Sequence, residues 1–179
     1  MENSKQPSFG IISVFLHWSI VLICFGLFAL GLWMVDLKEG HDWFLIAPFF
    51  HKLIGTLLLF LIIMRFLWTK LTPPPLPLPN HKPWEIKTAQ IVHFLLNFLL
   101  LIICISGNVM LLAIVDPYSV HGGVNLSDAL GVDNLKDLAH KAHLYLAYLL
   151  MVLVFIHVLA VLKHQFVDKD RTLRRILGL

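Results

Sequence analysis

The chain has 179 residues, of which 58% are hydrophobic and only 14% are charged, and its mean hydropathy is +0.80. Soluble domains carry about 25% charged residues, so the composition excludes an ordinary soluble protein and predicts one that is integral to a membrane. The net charge of +3 is small and lies in loops and tails, which indicates membrane orientation rather than nucleic-acid binding.

Four apolar segments reach the length of about 20 residues that a helix needs to cross a bilayer. They predict helices over approximately residues 12–35, 49–68, 91–115 and 143–162 of a single domain that occupies residues 1–179. The predicted fold class is therefore all-α, an integral membrane four-helix up-and-down bundle.

Two polar stretches separate the later helices. Five prolines between Thr72 and Pro79 predict an extended connector, because proline cannot continue a helix. The loop over residues 116–141 is expected to end in a short helical approach, with Asp133 or Asn134 as the N-cap before Leu135.

Positive charge predicts the orientation. Cytoplasmic loops of membrane proteins carry the excess of lysine and arginine, and here the N-terminus, the proline connector and the C-terminal tail hold ten of the 14 such residues. These ten are Lys5, Arg65, Lys70, Lys82, Lys87, Lys163, Lys169, Arg171, Arg174 and Arg175. Both termini are therefore expected in the cytoplasm.

Four histidines lie within or at the ends of the predicted helices: His17, His51, His143 and His157. His143 and His157 are 14 residues apart on one helix, which is nearly four turns, so both face the same side at a separation of about 21 Å. The hydrocarbon layer is about 30 Å thick, so these two imidazoles are expected near its two faces. Because neutral imidazole is the usual axial ligand of iron, the spacing suggests two metal centres stacked across a membrane.

The up-and-down connectivity pairs the histidines by depth, His17 with His157 at the inner face and His51 with His143 at the outer face. Two ligands from facing helices suit a six-coordinate haem, whereas zinc takes three or four ligands. No CxxCH sequence occurs, so each haem would be held without covalent bonds. The alternative for each histidine is an interhelical hydrogen bond, although ionisable groups in membrane helices are functional candidates by default.

Other residues are candidates for supporting roles. His93 is the alternative ligand at the inner face, and we favour it as a residue that supports the haem or contacts quinone. Arg65 lies 14 residues after His51 and could pair with a haem propionate at the inner level, or simply anchor the helix. Lys52 is the equivalent propionate candidate at the outer level.

Further residues have weaker signals. His140 is rotated about 100° from the face of His157, and His164 suits a headgroup or propionate contact. Gly31, Gly55 and Gly107 could give the macrocycles room or serve ordinary helix packing. The loop histidines are expected to be solvated: His41, His81 and His121.

Several of these features occur together in a known family. The matching residues are His17–Trp18, His51 after Phe49–Phe50, Thr72–Pro73–Pro74, His93 with Gly107, His143 with His157, and the tail from Asp168 to Arg175. With them, the chain resembles the bacterial cytochrome b561 family of four-helix di-haem membrane cytochromes. The resemblance implies two b haems with bis-histidine ligation, one bound by His17 and His157 and the other by His51 and His143.

The resemblance also implies a bacterial inner-membrane location and ubiquinone as the electron acceptor. One branch of the family takes electrons from superoxide at the outer face, and other branches are haem-bearing membrane subunits of hydrogenases and dehydrogenases. The outer loops here are net negative and would repel superoxide, whereas Lys52, Lys141 and His140 could attract it locally.

Three functions follow as hypotheses. The first is a transmembrane oxidoreductase of the respiratory chain that passes electrons from an outer donor such as superoxide to ubiquinone. The second is a membrane anchor that relays electrons for a dehydrogenase or hydrogenase partner. The third, a histidine-lined metal transporter, predicts a colourless protein.

Overall fold

The computed structural model describes residues 8–112 and 134–178, and the regular structure within these ranges is entirely helical. The helices are α1 (Ile11–Val35), α2 (Ile46–Leu71), α3 (Pro83–Leu112), α4 (Leu135–Phe166) and the short α5 (Thr172–Ile176). The first four are long and apolar enough to cross a membrane. The predicted all-α fold with four spanning helices is confirmed.

The helices differ from the predicted segments mainly at their ends. α3 begins at Pro83, eight residues before the predicted start at residue 91. Proline suits the first helical position, and Glu85 Oε2 accepts the backbone N–H of Lys82 at 2.9 Å, which is the return bond of a capping box. The apolar pattern does not reveal this first turn, because its residues are polar and precede the hydrophobic stretch.

The helical approach predicted before the fourth apolar segment is continuous with it, so α4 begins eight residues before the predicted start at residue 143. The helix begins at Leu135 and its N-cap residue is Asn134, in the left-handed conformation with φ of 67°. Asparagine tolerates this conformation better than most residues. The alternative cap, Asp133, lies outside the described residues.

Hydrogen bonds between helix ends establish the antiparallel arrangement. Trp68 Nε1, near the end of α2, donates to Ser13 Oγ at the start of α1 (3.1 Å). Thr56 Oγ1, near the start of α2, donates to Asn108 Oδ1 near the end of α3 (3.0 Å). Neighbouring helices therefore run in opposite directions, and the bundle has two ends. We call the end that carries the proline connector and α5 the connector end, and the other the loop end.

A narrow apolar core lies at mid-depth, and most other apolar side chains point outward. This distribution is typical of a bundle whose exterior faces lipid. Both cysteines are free thiols, and Cys104 is buried in this core.

The C-terminal segment folds back over the connector end. Trp18 Nε1 on α1 donates to the carbonyl oxygen of Ile176 (3.1 Å), and Arg175 donates to the carbonyl oxygen of Leu76 in the connector (2.9 Å). Arg175 is itself buried. These bonds tie α5 to both α1 and the proline connector.

Candidate functional site

At the loop end, the structure brings together the predicted pair on α2 and α4. The ring centroids of His51 and His143 are 6.0 Å apart, with an angle of 69° between the ring planes. Metal–imidazole bonds are about 2 Å long, so two rings on opposite sides of one ion have centroids roughly 6 Å apart. The observed separation therefore suits a shared metal ion.

His143 is also oriented by its neighbours on α3. Its Nδ1 lies 2.9 Å from the carbonyl oxygen of Ile103, to which it donates as an N–H group. Ser106 Oγ, which donates to the same carbonyl (2.8 Å), lies 3.2 Å from this nitrogen. A hydrogen bond at Nδ1 leaves the lone pair of Nε2 free, and metal-binding histidines usually have such a partner on the second nitrogen.

Two glycines form the surfaces on which these rings rest. A Cβ atom at Gly107 on α3 would lie 3.2 Å from Cε1 of His143, and one at Gly31 on α1 would lie 3.3 Å from Cε1 of His51. Carbon atoms in contact are normally about 3.5–4.0 Å apart, so any larger residue would push the ring. Gly55 differs, because a Cβ there would have no neighbour within 4 Å. The room that Gly31 and Gly107 provide is thus occupied by imidazole.

At the connector end, three histidines and one arginine come from four different helices. His17 on α1, His93 on α3 and His157 on α4 all lie within electrostatic range of the guanidinium of Arg65 on α2. His17 and Arg65 line the same small cavity. Arg65 therefore occupies the level at which the sequence predicted it.

The ring centroids of His93 and His157 are only 5.1 Å apart. This is shorter than the roughly 6 Å that two metal–imidazole bonds of about 2 Å impose on opposed rings. The contact therefore does not have the geometry of two ligands across one iron.

The remaining candidates lie at the periphery. Lys52 and His140 have exposed side chains at the loop end. His41 is exposed and its Nδ1 accepts the backbone N–H of Trp43 (3.1 Å), while His121 lies outside the described residues.

The residues present fit a haem. Nδ1 of His17 and Nδ1 of His51 are buried and have no hydrogen-bond partner among the described residues. An unpaired polar group is expensive in hydrocarbon, so each ring lacks a partner that a bound metal ion could supply at this nitrogen. Four imidazoles at two depths, with glycine backbone against two of them, are a donor set typical of b-type haem proteins.

Comparison with known proteins agrees with this chemistry. The family model of the prokaryotic cytochrome b561 matches residues 8–179. The chain belongs to that family. It is also 41% identical over 180 residues to Cytochrome b561 homolog 2 of Escherichia coli (strain K12), covering 99% of this chain and 96% of that protein. This cytochrome is thus a multi-pass bacterial membrane protein that binds haem b and transfers electrons.

Sequence reasoning missed one group of residues in the cytochrome. His81 was expected to be solvated, but its side chain is only 16% exposed and its Nε2 lies 2.9 Å from Asp170 Oδ2. The two residues are 89 positions apart, so only the folding back of the C-terminal segment brings them together. No local pattern in the sequence indicates this contact.

Proposed function

We propose that this cytochrome binds two b haems, one at each end of the bundle, and passes electrons between a donor outside the membrane and ubiquinone within it. The observation that carries the proposal is the pair His51 and His143, whose ring centroids are 6.0 Å apart. The hydrogen bond from His143 Nδ1 to Ile103 supports it, because that bond leaves Nε2 to bind iron.

The depth of each histidine in the bundle determines which haem we assign it to. We assign His51 and His143 to the haem at the loop end, and His17 and His157 to the haem at the connector end. His93 is assigned a supporting or quinone-contacting role, because its ring is too close to that of His157 for an iron ion to lie between them.

Haem b supplies reversible one-electron chemistry when bound. The protein would contribute two imidazoles to each iron, which would leave no site on the iron for oxygen, so outer-sphere electron transfer is expected. The Arg65 guanidinium supplies positive charge at the connector end, where it suits a propionate. Lys52 is assigned the corresponding role at the loop end.

The positive-inside rule supports a cytoplasmic connector end, since most lysine and arginine residues lie there. The inner membrane is then the location, and the loop end faces the electron donor. Superoxide is the donor we propose, attracted locally by Lys52, Lys141 and His140. The alternative is a relay subunit for a dehydrogenase or hydrogenase.

A pair of variants on α4 tests the ligand assignment. His143→Ala should lower the haem content from two per chain to one, measured by the pyridine haemochrome assay. His140→Ala, one turn earlier and exposed, is the matched control and should retain two. Two haems per chain in His143→Ala, or a colourless wild-type protein, would refute the assignment.

Stopped-flow mixing of the purified protein with superoxide tests the donor. Reduction of the haems by superoxide, followed by faster reoxidation when ubiquinone is present, supports the proposed direction of transfer. The absence of reduction, together with copurification of a soluble redox subunit, would favour the relay function instead.

A further inference from the structure

A second cluster of metal-binding residue types lies at the connector end, outside both histidine levels. It joins His81 of the connector, His164 of the last turn of α4, and Asp170 of the turn before α5. His81 Nε2 lies 2.9 Å and His164 Nδ1 3.2 Å from the same oxygen, Asp170 Oδ2. The centroids of the two imidazole rings are 4.7 Å apart. His164 follows His157 by about two helical turns, or roughly 10 Å, so the cluster is distinct from the haem level.

The cluster is partly enclosed and its carboxylate is held in place. The side chain of Asp170 is 4% exposed, and those of His81 and His164 are each 16% exposed. Asp170 Oδ1 accepts the backbone N–H of Thr172 at 2.8 Å. Burial opposes the charged form of Asp170, but its hydrogen bonds with Thr172 and His81 outweigh burial and hold the pKa of this carboxyl below its usual range. A carboxylate fixed in this way resembles the hydrogen-bonded carboxylates that bind metals.

Charged residues of both signs surround the cluster, with Lys169, Arg171 and Arg174 lining a cavity beside Asp170. Asp168 Oδ2 lies 2.8 Å from His164 Nδ1 and 2.6 Å from Lys163 Nζ. The same ammonium group donates to Glu85 Oε1 at 2.7 Å. Lys163 thus pairs with two carboxylates, and the Asp170 carboxylate instead faces the two imidazoles. A divalent cation between these rings would pair with the charge of Asp170.

The imidazole of His164 lacks a hydrogen-bond partner at Nδ1. Two carboxylate oxygens lie within 3.2 Å of its Nδ1. Neither lies in a direction that makes a hydrogen bond, so this buried nitrogen has no hydrogen-bond partner among the described residues.

We infer that His81 Nε2, His164 Nδ1 and Asp170 Oδ2 form a binding site for a divalent transition-metal ion of the zinc type. The three atoms lie within 4.8 Å of one another. Zinc bonds of about 2.1 Å in a tetrahedron place ligand atoms about 3.4 Å apart, so small side-chain movements complete the site. Asp168 Oδ2 or water supplies the fourth ligand. Two imidazoles exclude the all-oxygen environment that calcium and magnesium prefer.

The bound ion would join three segments that the chain otherwise holds by hydrogen bonds. His81 belongs to the connector before α3, whereas His164 and Asp170 flank the end of α4. Zinc has no redox chemistry, so the ion would stabilise the connector end without taking part in electron transfer. The inference is independent of the haem assignment.

Zinc titration of the full-length, haem-loaded protein tests the site. The protein carries no affinity histidine tag, is purified in detergent, is stripped with EDTA, and is then titrated with zinc chloride by calorimetry. We expect one zinc ion per chain, with micromolar or tighter affinity, and a higher melting temperature. His81→Gln and Asp170→Asn should each weaken binding at least tenfold.

His41→Gln is the matched control, because His41 is an exposed histidine at the loop end, and it should bind zinc like the wild type. The haem absorption spectrum of each variant reports whether the bundle is intact. Asp170→Asn keeps an oxygen for the Thr172 N–H, so it removes the charge with little change in the local backbone.

Two results would overturn the inference. The first is a wild-type affinity for zinc no greater than that of His81→Gln and Asp170→Asn. The second is a zinc X-ray absorption spectrum of the loaded protein without imidazole scattering at about 2.0–2.1 Å. Either result would make the cluster an ion-pair clamp without a metal.

Discussion

Gly107 on α3 and His143 on α4 touch so closely that a Cβ atom on the glycine would lie 3.2 Å from Cε1 of the imidazole. The other helix pair repeats this relationship, with Gly31 on α1 against His51 on α2. At the loop end, each proposed ligand ring therefore rests on the backbone of the helix that precedes its own in the chain. The two glycines therefore determine the positions of the His51 and His143 rings, and hence the distance between them.

Alanine at these glycines should disturb haem binding. In Gly107→Ala, the added methyl must push the His143 ring by a few tenths of an ångström, because carbon contacts below about 3.5 Å are repulsive. We expect a haem content between one and two per chain after detergent purification, measured by the pyridine haemochrome assay. Gly31→Ala should act in the same way through His51.

Gly26→Ala is the control, since Gly26 is exposed and a Cβ there meets nothing within 4 Å. It lies inside α1, where alanine is more stable than glycine by about 0.5–1 kcal/mol. This variant should keep two haems and melt at or above the wild-type temperature. If Gly107→Ala behaved like Gly26→Ala, the close contact would not position the ring.

The sequence was sufficient for the fold and for the two levels of histidine. Four apolar segments gave the four helices, and helical periodicity placed Arg65 at the level of His17. The ligand assignments themselves remain predictions. Helix ends such as Pro83 could not be predicted from hydropathy, because the first turn of α3 is polar and precedes the apolar stretch. The glycine contacts and the His81–Asp170 pair depend on distances between helices and on a folded-back tail, which no local pattern contains.

The connector end offers a choice between His17 and His93 as the partner of His157. We expect His17→Ala to lose one haem and His93→Ala to retain two. The reason is that the His93 ring lies 5.1 Å from that of His157, which leaves too little space for an iron ion between them. Haem content per chain is the measurement. The reverse result, with loss only in His93→Ala, would assign the ligand to α3.

Arg65 should raise the reduction potential of the connector-end haem. Its positive charge lies near His17 and His157 and favours the reduced iron, which carries one positive charge fewer. At roughly 10 Å and an effective dielectric constant of about 20, a unit charge contributes on the order of 1–2 kcal/mol. For one electron this corresponds to tens of millivolts, since about 59 mV is a tenfold change in equilibrium constant.

Arg65→Gln should therefore lower one of the two midpoint potentials in a spectroscopic redox titration and leave the other nearly unchanged. Lys70→Gln is the control, because Lys70 lies on the same helix and carries the same charge but has an exposed side chain. Water and salt screen exposed charges, so this variant should shift neither potential measurably. Equal shifts in both variants would mean that Arg65 acts only through the overall charge of that end.

The hydrogen bond from Thr56 on α2 to Asn108 on α3 should stabilise the loop end by a small amount. The donor and acceptor oxygens are 3.0 Å apart, and the single Thr56 hydroxyl proton is shared with the carbonyl oxygen of Lys52 at 2.9 Å. Asn108 Nδ2 also donates to the carbonyl oxygen of Cys104 at 2.9 Å. Interhelical hydrogen bonds in membrane proteins contribute about 0.6 kcal/mol on average and up to about 1.7 kcal/mol. A double-mutant cycle of Thr56→Val and Asn108→Leu, read as the free energy of unfolding in detergent, should give a coupling energy in this range.

Thr69→Val is the matched control on the same helix, because the Thr69 hydroxyl donates to the carbonyl oxygen of Phe66 in its own helix (2.8 Å). Combined with Asn108→Leu, it should show no coupling, since the two residues lie at opposite ends of the bundle. A coupling near zero for Thr56 and Asn108 would show that this contact adds nothing to the packing of α2 against α3. The loop-end histidines would then depend on the glycine contacts and the Ile103 carbonyl alone for their positions.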